Sequence, residues 1–240
     1  MTTTISPLPT LSALAPAVES PAGRPVQASR ADPLQALRTA TRTRHERLDA
    51  ALPLSRETAS LADYAAHLAA ILDWQLAIAP WLRRTDADLS GLRLIEADLA
   101  EPGMPRPVAP RSSAVDLRAA LDADDGSDAF CWGMAYVLEG SRLGGQVLYR
   151  RLRLPLAPHR LRYLGERADG GGAWPRTLAA LRRHLATPAA CAAGCRGAVA
   201  AFDVLLPRFG LAPGGEPQPE PPPGLPPMPG TLSTEGRHHA

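Results

Sequence analysis

The chain has 240 residues, with 26 basic against 24 acidic side chains and a formal charge of +2. That length suits one domain with a sizeable core, and the near balance of charge leaves no electrostatic footprint for a nucleic acid. No uninterrupted apolar run approaches the roughly eighteen residues of a membrane span, so no membrane segment is expected. Every basic residue is arginine, which points to a GC-rich coding sequence rather than to a fold. Cys131, Cys191 and Cys195 make no disulfide framework. Cys191 and Cys195 are four apart, a metal-ligand spacing, but small packed residues of a reduced protein are the plainer reading. The chain does not open on a basic stretch followed by an apolar one, so no secretory signal is expected and the protein reads as cytoplasmic.

Residues 1–30 are rich in Ser, Thr, Ala and Pro without helical period and read as a disordered leader. Residues 212–240 read as a Pro-rich disordered tail. Between them, residues 31–211 carry helical periodicity almost throughout and no alternating strand pattern, which predicts a single all-α domain. The first helix opens on Asp32 as N-cap and Pro33 as first helical residue. Leu34, Leu37, Leu48 and Leu52 form its apolar stripe, with Thr41 and His45 filling it, so His45 is expected on the buried face. Arg38 and Arg42 precede His45 along one flank. Asp49 follows one turn later, where it would steady an imidazole proton. A long helix is expected over Leu61–Arg83, kinked or ended by Pro80, then a shorter one over about 86–99. The four prolines of 101–113 predict a loop, and a short helix is expected near 115–122. Further helices are expected over 175–185 and 188–209, with a loop at Asp169–Gly172.

Residues 127–153 read as one helix despite Gly133, Gly140, Gly144 and Gly145 in its interior. Each interior glycine costs about 1 kcal/mol relative to alanine, so the four together cost about 4 kcal/mol. Gly140 and Gly144 are four apart and share a face, with Gly133 near it. A face without side chains admits either another helix or a flat ligand, and Gly144-Gly145 is a place for a kink. Taken with a histidine on the buried face of the first helix, the pattern suits a flat metal macrocycle held between two helices. Imidazole would ligate its iron from one side, bare backbone would approach from the other, and Arg38, Arg42 and Arg183 would meet its carboxylates.

Two segments carry a family resemblance. Leu37-Arg-Thr-Ala-Thr-Arg-Thr-Arg-His45-Glu-Arg-Leu48 and Tyr136-Val-Leu-Glu-Gly-Ser-Arg-Leu-Gly-Gly-Gln-Val-Leu148 resemble the proximal and distal helix motifs of heme oxygenases. The second is most similar to the bacterial branch associated with bacteriophytochromes. The resemblance covers about residues 34–209 in helix order and spacing. It implies an all-helical domain with haem sandwiched between a proximal and a kinked distal helix. It makes His45 the iron ligand, and Gly140, Gly144 and Gly145 the distal glycines. Arg38 and Arg42 fall where basic residues lie near the propionates, and Arg183 matches on less. The implied reaction opens haem, at once cofactor and substrate, to biliverdin, carbon monoxide and ferrous iron, with dioxygen as co-substrate.

The resemblance further implies an electron donor, a ferredoxin or flavin reductase, and a bacteriophytochrome that receives biliverdin. One position departs from the animal enzymes: Ser141 stands where they carry a water-anchoring aspartate. Arg142 is about 200° round the helix from Gly140 and is expected to point away from the ligand. Three rival readings remain. A haem carrier, store or sensor shares the same residues and differs only in turnover. A di-iron protein wants Glu-x-x-His on inward helix faces, and only Glu235 with His238, in the tail, matches. A purely structural helical protein explains the glycines by packing alone.

Overall fold

The computed structural model describes residues 32–107, 127–165 and 173–214, and these form helices, 3-10 turns and connections with no strand among them. The leader, the helix expected near 115–122, the Asp169–Gly172 loop and the tail beyond 214 lie outside these residues. Seven α-helices are described: α1 Pro33–Ala51, α2 Leu61–Leu82, α3 Gly91–Leu99, α4 Asp128–Leu152, α5 Arg162–Gly165, α6 Ala173–His184 and α7 Pro188–Leu205.

Local chemistry sets the helix starts. Asp32 accepts the Leu34 amide ahead of Pro33, satisfying one of the donors a helix leaves open. Ser60 and Asp63 form a reciprocal capping box on α2. Ser127 and Thr187 cap α4 and α7. Helix α3 begins at Gly91, later than the periodicity predicts, because short polar side chains take the preceding amides. Asp88 accepts from the Ser90 amide at 2.7 Å and Thr85 from the Ala87 amide at 3.2 Å, local bonds that compete with helix. Helix α2 runs through Pro80 to Leu82. The bond that proline forgoes falls on the turn of Leu76, which is 55% exposed, where solvent replaces it. At the far end, Pro207 has no amide proton to give; α7 tightens into a 3-10 turn over Leu206–Phe209 and stops at Gly210, whose φ is +74°.

Helix α7 is the centre of the molecule. Its inner face is built of small residues (Ala193, Gly194, Gly197, Ala198, Ala201) with Phe202, Val204 and Leu205 beyond them. With its 3-10 turn it is long and apolar enough to cross a membrane by length and composition, but more than half of it is buried inside the molecule, as befits a core helix. Trp74 of α2 donates its indole proton to the Ala201 carbonyl at 2.9 Å. Helices α4 and α1 both pack on α7, and both touch α6, but they do not pack along one another. That arrangement leaves α1 and α4 side by side with a shared backing, and it positions the site.

Candidate functional site

His45 lies in α1 with its side chain 31% exposed, less buried than its place in the apolar stripe predicts. Thr41, one turn earlier, is the last fully buried residue of that stripe. The imidazole edge meets the Phe202 ring of α7, centroids 6.0 Å apart. Nδ1 donates to Asp49 Oδ2 at 3.0 Å. A neutral imidazole whose Nδ1 carries the donated proton keeps its lone pair on Nε2, so the free nitrogen is the outward one. Both neighbours fix the helix. Arg44 makes a forked pair to Asp203 at 2.7 and 3.1 Å, and Arg47 donates to the carbonyls of Ala212 and Gly214. Asp203 also accepts the Gly214 amide at 3.0 Å. A two-point guanidinium–carboxylate bond resists rotation, so α1 presents His45 at one angle.

The glycines of α4 divide into different environments. A Cβ on Gly133 would land on the Gly194 carbonyl of α7, and one on Gly197 would land on the Phe130 carbonyl of α4. Here glycine serves helix contact. A Cβ on Gly145 would touch Leu164 of α5 at 3.4 Å. At Gly140 a Cβ would meet nothing within 4 Å among the described residues, and Gly144 is half-buried. The helix continues unbroken through Gly144-Gly145.

Position along the helix explains the division. Residues 132, 136, 140 and 144 are four apart and form one row. The row begins with aromatics: Trp132 stacks on His184 at 4.9 Å between centroids, and Tyr136 meets Trp174 at 6.0 Å. Helix α6 covers that half. At Gly140 the side chains stop and the row is open. The next row, 141, 145 and 149, is taken up by α5: Tyr163 bonds Ser141, Leu164 lies under Gly145, and Gly165 lies under the Tyr149 ring.

The remaining residues singled out in the sequence fall as follows. Ser141 donates its hydroxyl proton to the Leu138 carbonyl at 2.7 Å and shares a hydrogen bond with Tyr163. Arg142 turns to Glu139 and to the Asp88 carbonyl, in the connection between α2 and α3. Burial pushes the Glu139 carboxyl up, against the pull of Arg142 and Arg176. Arg38 and Arg42 are exposed on α1. Arg38 bonds the Tyr136 phenol, bridging α1 and α4 one turn before Gly140. Burial outweighs that guanidinium and holds the phenol above its usual range. Arg183 is exposed near the end of α6, the helix that touches both α1 and α4.

Sequence reasoning missed the group that holds α4 from behind. Asp98 of α3 is 0% exposed. It accepts the Tyr64 hydroxyl at 2.7 Å, the Arg162 and Tyr163 amides at 3.0 and 2.9 Å, and Arg162 Nη1 at 3.1 Å. A buried carboxylate is tolerated only when satisfied in this way. Here it caps the N-terminus of α5 and so seats Tyr163 and Leu164 against α4. Trp174 and His184 went equally unnoticed. Among the described residues no group of three or more His, Cys, Asp or Glu is placed to hold a metal ion.

The fold and site define an all-helical protein with an oriented histidine on one helix and an open glycine face on its neighbour. No protein-family model matches the chain, and no solved structure matches it. It is 41% identical over 86 residues to a curated protein of Xanthomonas campestris pv. campestris (strain 8004) named "Heme oxygenase". The match covers 35% of this chain and 52% of that protein, so the chain spans about half the length of the relative it matches.

Proposed function

We propose that the protein is a heme oxygenase, of the bacterial branch associated with bacteriophytochromes. It would open haem to biliverdin, carbon monoxide and ferrous iron in the cytoplasm, using dioxygen and electrons from a ferredoxin or flavin reductase. A bacteriophytochrome is the proposed recipient of biliverdin. The observation that carries this reading is the pairing of two features. His45 has its Nε2 free and its ring fixed through Asp49, and the neighbouring helix is open where Gly140 lacks a side chain. The likeness to the Xanthomonas protein supports it.

The residues present fit haem. Imidazole with a carboxylate on its other nitrogen is a good iron ligand, because the carboxylate fixes the tautomer and raises the basicity of the ligating nitrogen. Gly140 and Gly144 leave room for a flat ring, and Gly145 lets Leu164 support them from behind. Arg38 and Arg42, exposed on the helix that bears His45, are placed for the haem carboxylates, with Arg183 of the adjoining α6 a third candidate. When bound, haem would supply both the iron at which dioxygen reacts and the carbon skeleton that is cut. The open row carries no acid or base of its own. Glu139, the carboxyl next to Gly140, is buried and turned to Arg142, and Ser141 offers a hydroxyl held by α5. No side chain of that row would therefore protonate a ligand over the ring, and water and backbone would do the work there.

The test is an absorption time course of purified protein with hemin, a reductant and oxygen, with catalase present to remove free peroxide. Replacement of the Soret band by a biliverdin band in wild type, and loss of the complex in His45→Ala, are the expected results. A stable haem spectrum that never converts would make the protein a haem carrier or sensor. No Soret complex at all would remove haem from the account.

A further inference from the structure

Four polar groups form a directional chain that ends beside the open glycine. Gln75 of α2, 0% exposed, donates from Nε2 to the Tyr163 hydroxyl at 2.9 Å. Ser141 donates to the Leu138 carbonyl at 2.7 Å, which commits its only proton. The Tyr163–Ser141 bond must then run from the phenol to Ser141 Oγ, since one hydroxyl proton makes one donor. Burial pushes the Tyr163 phenol up to about 12, so that proton stays in place at ordinary pH. Arg142 and Glu139 are the charged groups nearest that phenol.

Packing alone does not explain this chain. Gln75 Oε1 is buried and has no protein donor, a state that folded proteins avoid unless the polar group serves another end. An apolar side chain at 75 would fill the same space without that cost. Helix α5 has four residues, too few to hold its shape unaided. Asp98 fixes it through two backbone amides, so the phenol is held at a set position against α4.

We propose that Tyr163 is a positioning residue for Ser141. By giving its proton to Oγ, it makes the Ser141 hydroxyl an acceptor toward the open space at Gly140, where it holds a water whose other proton faces bound haem. A hydroxyl whose proton is spent and whose first lone pair is filled has one lone pair left. It can only accept there, as a carboxylate would, without a charge. Tyr163 thus acts through Ser141 and touches no reacting atom. The inference rests on the haem reading of the site.

Carbon monoxide bound to the ferrous haem-loaded protein reads the proposal. A proton donor near the ligand lowers its infrared stretching frequency, and loss of the donor raises it. Wild type is compared with Ser141→Ala, Tyr163→Phe, the double variant and Gln75→Met. The expected result is a rise in frequency for Ser141→Ala, a rise in the same direction for Tyr163→Phe, and no further rise in the double variant, since groups acting in series are non-additive. Gln75→Met, one link further back, is expected to move the band less, in the same direction, and serves alone if Tyr163→Phe does not fold. A band unmoved in Tyr163→Phe or Ser141→Ala, or a double variant equal to the sum of the two, overturns the proposal. So does an unmoved band in Gln75→Met where that variant stands alone. A wild type that forms no Soret complex is a different result: the haem reading falls, and the proposal with it.

Discussion

The two halves of α4 use the same residue for opposite ends. In the first half, the missing side chain of Gly133 is filled by the Gly194 carbonyl, and that of Gly197 by the Phe130 carbonyl. Two helix backbones meet there, and the dispersion contacts they make offset the helix-weakening effect of glycine. In the second half, the place of a Gly140 side chain is filled by nothing among the described residues. The helix bears the cost of about 1 kcal/mol and the folded chain shows no return for it. A glycine that packs is explained by the fold. A glycine that leaves room is explained only by what comes to occupy the room.

The comparison breaks first at Gly133. Gly133→Ala would put a methyl on a backbone carbonyl that cannot swing aside, so α4 and α7 must separate. A destabilisation of about 3 kcal/mol is expected, at the upper end of overpacking costs and well beyond the roughly 1 kcal/mol gained in helix propensity. Urea denaturation of the haem-free protein measures it. An unchanged midpoint would show that the close approach is not needed.

The packed and open sides also differ in their histidines. His67 of α2 is 8% exposed, its Nδ1 lacks a partner, and its ring lies 5.7 Å from Phe209. Burial pushes its pKa down from 6.5 to about 4. At pH 7 the ring is neutral in both states and contributes no pH dependence. As pH falls below 6.5 the unfolded chain takes up a proton that the folded chain refuses, so stability falls with pH. The loss is complete below about pH 4, where it amounts to about 3 kcal/mol. Urea midpoints from pH 7 to 4 should fall more steeply for wild type than for His67→Leu. Parallel curves would mean that His67 is not buried neutral.

Local signals were legible in the sequence, and distant pairings were not. Asp32-Pro33 and Ser60-x-x-Asp63 announce their helices because each cap closes within three residues. The glycine helix could be delimited and its oddity priced. Its division could not be read, because the answer lies in α7, where Gly194 and Gly197 sit in a run of alanines that reads as ordinary helix. Asp98 meets Arg162 and Tyr163 across more than sixty positions, and nothing local in the sequence pairs them. The period of α1 put His45 in the buried stripe. The structure leaves it 31% exposed, because burial along that stripe has already ended at Thr41, where α1 draws away from its neighbours.

The smallest effect is the most informative, because it reverses sign. Gly140→Ala adds a methyl where nothing lies within 4 Å, so the haem-free protein should gain about 1 kcal/mol from helix propensity alone. Gly145→Ala is the control, since its methyl would meet the flexible end of Leu164 at 3.4 Å and the propensity gain should be largely offset. Haem titration of the same proteins then separates the two accounts of the open face. If the space belongs to a ligand, Gly140→Ala must be more stable when empty and bind haem more weakly than wild type, a trade that no packing role produces. A variant that gains stability and keeps its haem affinity would mean that the open row lies away from the ring. The distal surface would then have to be sought at Gly144, the half-buried end of the same row.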